Sequence, residues 1–188
     1  KISRVVSTDA IRQIMRMMIS PDLMPTLHVS SFSAWKHAGA ELSQEHAPVI
    51  QAFREQAVRV GVGVRAIIDR TLEENASIVI DGVHLLPDLI DVSAYDDKAI
   101  FIWANLSIDD KDQYAERFAA RSKEAVQRPS HHYVENLDAI LEIQQHIVQV
   151  GEAHGVVTVE NTSFDEAVQL LSTHIMDVLR KINKDGAT

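Results

Sequence analysis

The carboxylate of Asp81 lies where a metal ion or a reacting water molecule could be held. It ends the apolar run of residues 78–80 and is followed by Gly82. A short apolar run bounded by turn residues predicts a buried strand of a parallel sheet. Ligands bind such sheets outside the carboxyl ends of the strands, so Asp81 is a candidate metal ligand, as in phosphate-transfer enzymes. The alternative is an aspartate that only caps the next turn.

A second acid, Asp9, follows the strand-like residues 2–6 and precedes a helical pattern with apolar residues at 11, 14, 15 and 18. Asp9 or Thr8 is expected to cap this helix. Arg12 lies one turn further on, where its guanidinium group could bind a phosphate or a carboxylate with two parallel hydrogen bonds. The alternative for Arg12 is an exposed charge on the helix surface.

Composition limits the classes of function. The chain has 188 residues, 46% of them apolar and 24% charged, with no cysteine and a net charge of −9. One domain is expected, without disulfides or thiol catalysis. The negative net charge disfavours nucleic acid as a partner, because it repels the phosphate backbone. No apolar run approaches the roughly 20 residues that a membrane-spanning helix needs. Without a signal peptide pattern, a cytoplasmic protein is predicted.

The elements that must position these side chains alternate between strands and helices. Strands are predicted over residues 2–6, 77–81, 99–106 and 156–159. Long helices are predicted over residues 10–19, 48–74, 107–123, 133–153 and 163–182. Pro48 opens the second of them, in a position that proline tolerates, and Gly61 and Gly63 within it indicate close packing or a bend. Asn75 and Gly155 are expected to end the helices that precede them. Apolar strands alternating with helices predict the α/β class, with a parallel sheet that carries helices on both faces.

Five stretches resemble one family, the 2-phosphoglycerate kinases. The stretches are Val5–Arg12, Leu23–His28, Ile80–Leu85, Arg117–Arg121 and Glu160–Asn161. The resemblance extends from about Ile2 to Leu171. It implies a P-loop kinase-like fold with three α/β/α layers in a single domain over residues 1–188. It also implies transfer of the γ-phosphoryl group of ATP to the 3-hydroxyl of 2-phosphoglycerate, with Mg²⁺ as the metal.

The chain departs from this family in two ways. The family usually has glutamate where Asp81 stands, so the carboxylate is kept and its reach is shorter. The phosphate-binding sequence G-x-x-x-x-G-K-[ST] does not occur among the 188 residues. In the family it lies just before the position of Ile2. We therefore expect the first βα unit to precede Lys1, and a chain without that unit to be inactive.

The resemblance also implies roles for individual residues. Asp81 would hold Mg²⁺, directly or through water, and Asp9 would bind a metal-bound water or orient the acceptor hydroxyl. The residues assigned to catalysis are Asp9, Asp81, Arg117 and Arg121. Those assigned to the acceptor are Arg12, His28, Lys36 and His84. Those assigned to the nucleotide are Arg128 and Asn161.

Other interpretations stay open at this point. The basic residues between 111 and 128 could bind a small anion or form a solvated helix face. The protein could be a kinase for another small metabolite, or a binding protein that keeps the kinase scaffold without catalysis. The expected partners are ATP and a small anionic metabolite, with neither nucleic acid nor membrane, and a homodimer is left open.

Overall fold

A computed structural model describes residues 4–38, 47–114, 116–117 and 133–185 of the chain. The strands are β1 (Arg4–Ser7), β2 (Ile78–Asp81), β3 (Ala104–Ser107) and β4 (Val157–Glu160). The α-helices are α1 (Thr8–Met18), α2 (Pro48–Glu73), α3 (Leu137–Ala153) and α4 (Phe164–Asp185). Short 3₁₀ helices cover Pro25–His28, Ser31–Lys36 and Ser93–Tyr95. Residues 111–114 and 116–117 are also helical.

The described strands form two parallel pairs, which confirms the predicted α/β class. β1 pairs with β2, and Ser7 lies opposite Asp81. β3 pairs with β4 in the same orientation. Helix α1 packs against β1, and α4 packs against β4. In both pairs, therefore, parallel strands are flanked by helices.

The described residues divide into two compact units. One unit lies within Lys1–Ala99 and Asp138–Val150, and the other within Ile100–Leu137 and Gly151–Thr188. The first contains β1, β2, α1 and α2, and the second contains β3, β4 and α4. A single domain over residues 1–188 stays a prediction.

Helix α2 is the central element of the first unit. Pro48 occupies its first turn, as predicted, because proline lacks the N–H that a first turn leaves unpaired. The side chains of Phe53, Val60 and Val64 are almost completely buried. A Cβ atom on Gly63 would lie 2.4 Å from Cγ2 of Ile11. Gly63 therefore allows α1 to pack closely against α2, which is one of the two roles expected for a glycine in this helix.

The strands differ from the prediction in length and in burial. Pairing in β3 begins at Ala104 rather than at residue 99, because β4 offers partners to only four residues. Val79 is 40% exposed and Leu106 is 53% exposed, although burial on both faces was expected. In β2 the half-buried and the exposed side chains alternate. Within the described part of the chain, one face of this strand is therefore covered and the other is not.

Candidate active site

The carboxyl ends of β1 and β2 bring the two predicted acids to the same edge of their sheet. Asp81 is the last residue of β2 and lies opposite Ser7 of β1. Asp9 follows Ser7 by two positions in the sequence. Both aspartates are exposed, so both can reach a ligand at this edge. The pairing of β1 with β2 thus brings together two residues that are 72 positions apart in the sequence.

Ser7, and neither Thr8 nor Asp9, caps helix α1. The Ser7 hydroxyl accepts a hydrogen bond from the Ala10 amide at 3.1 Å. The predicted capping residue was therefore wrong by one or two positions. Serine caps as well as aspartate does, and Ser7 already has the extended backbone of a cap. The carboxylate of Asp9, which is 57% exposed, is left available for other contacts.

Gly82 turns the chain directly after Asp81. Its φ angle is +134°, a conformation that residues with a side chain rarely adopt. A Cβ atom at this position would lie 1.9 Å from Oγ1 of Thr8. The backbone after β2 can therefore approach the start of α1 only because residue 82 is glycine.

Arg12 lies beside Asp9, as predicted, but its guanidinium group is largely engaged by the protein. It donates to the Asp9 carboxylate at 3.2 Å and to the carbonyl oxygens of Leu27 and Val29 at 3.3 and 2.6 Å. Its side chain is only 14% exposed. Arg12 therefore links α1 to the segment around the first two 3₁₀ helices. Its direct contact with an acceptor stays a prediction.

His28 and Lys36 lie on that same segment. Nε2 of His28 is 2.8 Å from the carbonyl oxygen of Ile19. Lys36 is exposed, and its ammonium group lies 5.6 Å from the centre of the Trp35 ring, where cation–π attraction operates. The structure thus orders both residues by contacts within the chain, and their role with the acceptor stays a prediction.

His84 is buried, and both of its ring nitrogens are in hydrogen-bond contact with protein groups. Nδ1 is 2.9 Å from Oγ1 of Thr8, and Nε2 is 2.9 Å from Oε1 of Gln56. Nε2 also lies 3.2 Å from the Ser31 hydroxyl. The exposed fraction of His84 is 0%. These contacts make His84 an interior polar residue in this structure, while the acceptor role predicted for it remains without support.

The free energy of unfolding is expected to fall in acid because of His84. Burial, and to a lesser extent the charge of Arg12, lowers the pKa of His84 to about 4, against a smaller opposite effect of Asp9. The unfolded chain then binds a proton that the folded chain does not. This contribution to stability is complete above about pH 6.5 and is lost as the pH falls towards 4, by about 3 kcal/mol in total.

Urea titrations between pH 7.5 and pH 4.5 measure this loss. His84→Gln should flatten the pH dependence, because glutamine does not titrate. The slope of the wild-type protein, measured in the same series, is the reference. His146, whose pKa burial also lowers, contributes a smaller slope of the same sign in every variant. An unchanged slope in His84→Gln would show that this histidine does not carry the effect.

The second unit contains two more of the predicted site residues. Arg117 donates hydrogen bonds to the carbonyl oxygen of Asn161 and, at 3.1 Å, to that of Thr162. The backbone amide of Asn161 donates to the carbonyl of Ser107 at 2.7 Å. Arg117 is thus held against the backbone that follows β4. Arg121 and Arg128 lie outside the described residues, so their roles stay predictions.

Gln56, Ser31 and Thr8 were not assigned to the site from the sequence. Gln56 falls on the same helix face as Phe53 and Val60, which is otherwise apolar. A polar residue on an apolar stripe is the signal that could have identified it, because buried polar groups need hydrogen-bond partners. Thr8 was considered only as a capping residue, and Ser31 only as part of the loop expected to cover the acceptor.

No cluster of three potential metal ligands occurs among the described residues. Mg²⁺ does not require one, because it is commonly held by one or two carboxylates together with substrate phosphates and water. The exposed carboxylate of Asp81 at the end of β2 fits that type of site. No helix in the described part of the chain is long and apolar enough to cross a membrane.

Comparison with curated proteins reveals relatives that share one name. The chain is 32% identical to a 2-phosphoglycerate kinase of Methanopyrus kandleri over 181 residues, which is 96% of this chain and 54% of that protein. It is 32% identical to the enzyme of the same name from Pyrococcus horikoshii over 97% of this chain and 58% of that protein. For the one from Methanococcus maripaludis strain C7 the identity is 36%, over 89% of this chain and 54% of that protein.

The chain thus spans a little over half the length of these relatives. No family model matches it, and no solved structure matches it. The similarity covers nearly all of the chain, including the segments that carry Asp9, Asp81 and Arg117.

Proposed function

The chain belongs to the 2-phosphoglycerate kinase family, and we propose that the protein carrying it phosphorylates a small anionic hydroxy acid with ATP, preferring 2-phosphoglycerate. The observation that carries this proposal is the similarity to kinases of that name over 96–97% of the chain. The two exposed aspartates at one edge of the β1–β2 pair support it. A cytoplasmic location and a homodimer stay predictions.

The two aspartates take different roles in this proposal. Asp9 accepts a hydrogen bond from the acceptor hydroxyl and orients that oxygen for attack, since positioning is most of what a kinase site contributes. Asp81 would hold Mg²⁺ together with phosphate oxygens. The metal, when bound, offsets negative charge on the transferring phosphoryl group.

The acceptor is recognised by cations around the two 3₁₀ helices Pro25–His28 and Ser31–Lys36. Lys36 is exposed there, so its ammonium group can approach a phosphate or carboxylate group of a ligand. Arg12 keeps one side of its guanidinium group on Asp9 and the other on the segment backbone. A neutral acceptor would bring no anionic group to these cations, so an acid is preferred over a sugar or a nucleoside.

Arg117 keeps its predicted catalytic role in the proposal. Its positive charge, with those of Arg121 and Arg128, would offset charge on the transferring group. The phosphate-binding loop itself does not occur in the 188 residues, so the proposal concerns the intact protein that carries this chain.

A panel of acceptors tests the proposal directly. With Mg²⁺ and ATP, the intact protein is expected to phosphorylate 2-phosphoglycerate with the highest kcat/KM. Glycerate should be at least about tenfold poorer because it lacks the phosphate that the cations bind. Glycerol and a nucleoside serve as neutral controls and should be poorer still. The product is identified by ³¹P NMR as a bisphosphorylated acid.

Faster turnover of a neutral acceptor than of every phosphorylated acid would reject the proposed acceptor and leave a kinase of another specificity. Absence of transfer to any acceptor would instead favour a binding protein that keeps the kinase scaffold.

A further inference from the structure

The carboxamide of Gln56 connects three parts of the first unit. Its Oε1 atom accepts hydrogen bonds from the Ser31 hydroxyl at 2.7 Å and from Nε2 of His84 at 2.9 Å. Its Nε2 atom donates to the carbonyl oxygens of Val29, at 3.2 Å, and of Thr26. The exposed fraction of Gln56 is 0%. Two acceptor sites and two N–H donors are all that a carboxamide has, so Gln56 is fully used.

These contacts determine the direction of each hydrogen bond in the group. Only the NH₂ side of Gln56 can face two carbonyl oxygens, so its oxygen must face His84. Nε2 of His84 then carries the proton, and Nδ1 accepts from the hydroxyl of Thr8. A ring with one proton is neutral, which agrees with the lowered pKa of His84.

The two ends of this network lie at the residues proposed to bind substrate. At one end, Thr8 is adjacent to Asp9 and contacts the turn at Gly82, directly after Asp81. At the other end is the segment Thr26–Ser31, which contains His28 and leads into the 3₁₀ helix that carries Lys36. The Val29 carbonyl accepts from both Gln56 and Arg12.

We propose that Gln56 is a positioning residue. It holds the segment Thr26–Ser31, which is proposed to bind the acceptor, at a fixed distance from Asp9 and Asp81. Gln56 is buried and touches no substrate itself. It acts through Ser31, Thr26 and Val29 on one side and through His84 and Thr8 on the other. This inference rests on the proposed function, because it assigns the segment to the acceptor of that reaction.

The position of Gln56 explains why a polar residue occupies the apolar face of α2. An apolar side chain would leave the Thr26 carbonyl without this donor and would remove the oxygen that accepts from both Ser31 and His84. The Val29 carbonyl would keep only its hydrogen bond from Arg12. Each buried group without a partner is costly. The segment would then shift towards water to satisfy these groups, and the side chains of His28 and Lys36 would move relative to Asp9.

Gln56→Met in the intact protein tests the proposal, because methionine has a similar length and cannot form these hydrogen bonds. KM for 2-phosphoglycerate is expected to rise at least about tenfold, while KM for ATP changes less than about twofold. Calorimetric Kd values for the acceptor should rise in parallel. The matched control is Gln169→Met, at an exposed position on α4, which should leave both KM values unchanged.

Ser31→Ala is the second variant and covers the case in which Gln56→Met fails to fold. It removes one hydroxyl of the network and should raise the acceptor KM about threefold or more without changing KM for ATP. If both variants fold, their effects on the acceptor KM should be less than additive, because they remove the same hydrogen bond. Thermal unfolding of each variant separates loss of fold from loss of affinity.

Two results would overturn the proposal. One is a folded Ser31→Ala or Gln56→Met variant with an unchanged acceptor KM. The other is an equal rise in both KM values, which would indicate a general structural role. A wild-type protein that prefers another acid of the panel rejects 2-phosphoglycerate alone, and the same variants are then measured with that acid. A wild-type protein that binds no acid rejects the proposed function and this inference together.

Discussion

Asp81→Asn in the intact protein is expected to lower kcat by at least about 100-fold, the effect of removing one group that stabilises transition-state charge. Asparagine keeps the size of the side chain and removes the negative charge with which Asp81 is proposed to hold Mg²⁺. The position is exposed at the end of β2, so the fold should be preserved. Steady-state rates at saturating ATP and acceptor, over a range of Mg²⁺ concentrations, measure the effect.

Asp97→Asn is the matched control for this prediction. It makes the same change of charge at another exposed position of the first unit and should leave kcat unchanged. A similar small effect in both variants would remove Asp81 from the metal site. A large loss in Asp81→Asn that excess Mg²⁺ partly restores would support metal binding, and circular dichroism should show both variants folded.

Gly82→Ala is expected to lower the free energy of unfolding by roughly 3 kcal/mol or more, from backbone strain and overpacking together. The φ angle of +134° is unfavourable for alanine. The new Cβ atom would also lie 1.9 Å from Oγ1 of Thr8, so the start of α1 or the turn must move. Urea denaturation at pH 7.5, where His84 is neutral, measures the loss.

Gly155→Ala is the comparison variant without a steric clash. Gly155 also has a positive φ angle, +71°, but nothing lies within 4 Å of its added Cβ atom. At +71° alanine adopts the left-handed conformation with less strain than at +134°, and the clash is absent, so a loss of about 1 kcal/mol is expected. Equal losses at Gly82 and Gly155 would show that the close approach to Thr8 contributes nothing.

Local signals in the sequence predicted most of the fold. Pro48 identified the start of α2. Asn75 and Gly155 identified the ends of α2 and α3, and both adopt positive φ angles just after these helices. These predictions succeed because the conformational limits of proline, glycine and asparagine act on the residue itself. The apolar run before Asp81 likewise predicted a strand and the acid at its end.

The choice between neighbouring candidates was harder to predict. Ser7, Thr8 and Asp9 are all good capping residues, and the structure selects Ser7. Thr8 instead turns inward and faces His84. The side chain that caps the helix is decided by the partners that each of the three can reach elsewhere in the protein. The local sequence does not contain that information.

The sequence alone determined the order of strands and helices, the kinase family resemblance and the presence of Asp9 and Asp81. Only the tertiary structure decided that His84 is an interior residue, that Arg12 binds backbone carbonyls and that Gln56 joins the segments around it. The physical reason is the separation of the partners. Thr8 and His84 are 76 residues apart, and His84 and Gln56 are 28 apart. A histidine, an arginine or a glutamine can serve in solvent, in a site or in a core, and long-range packing decides which of these environments surrounds it.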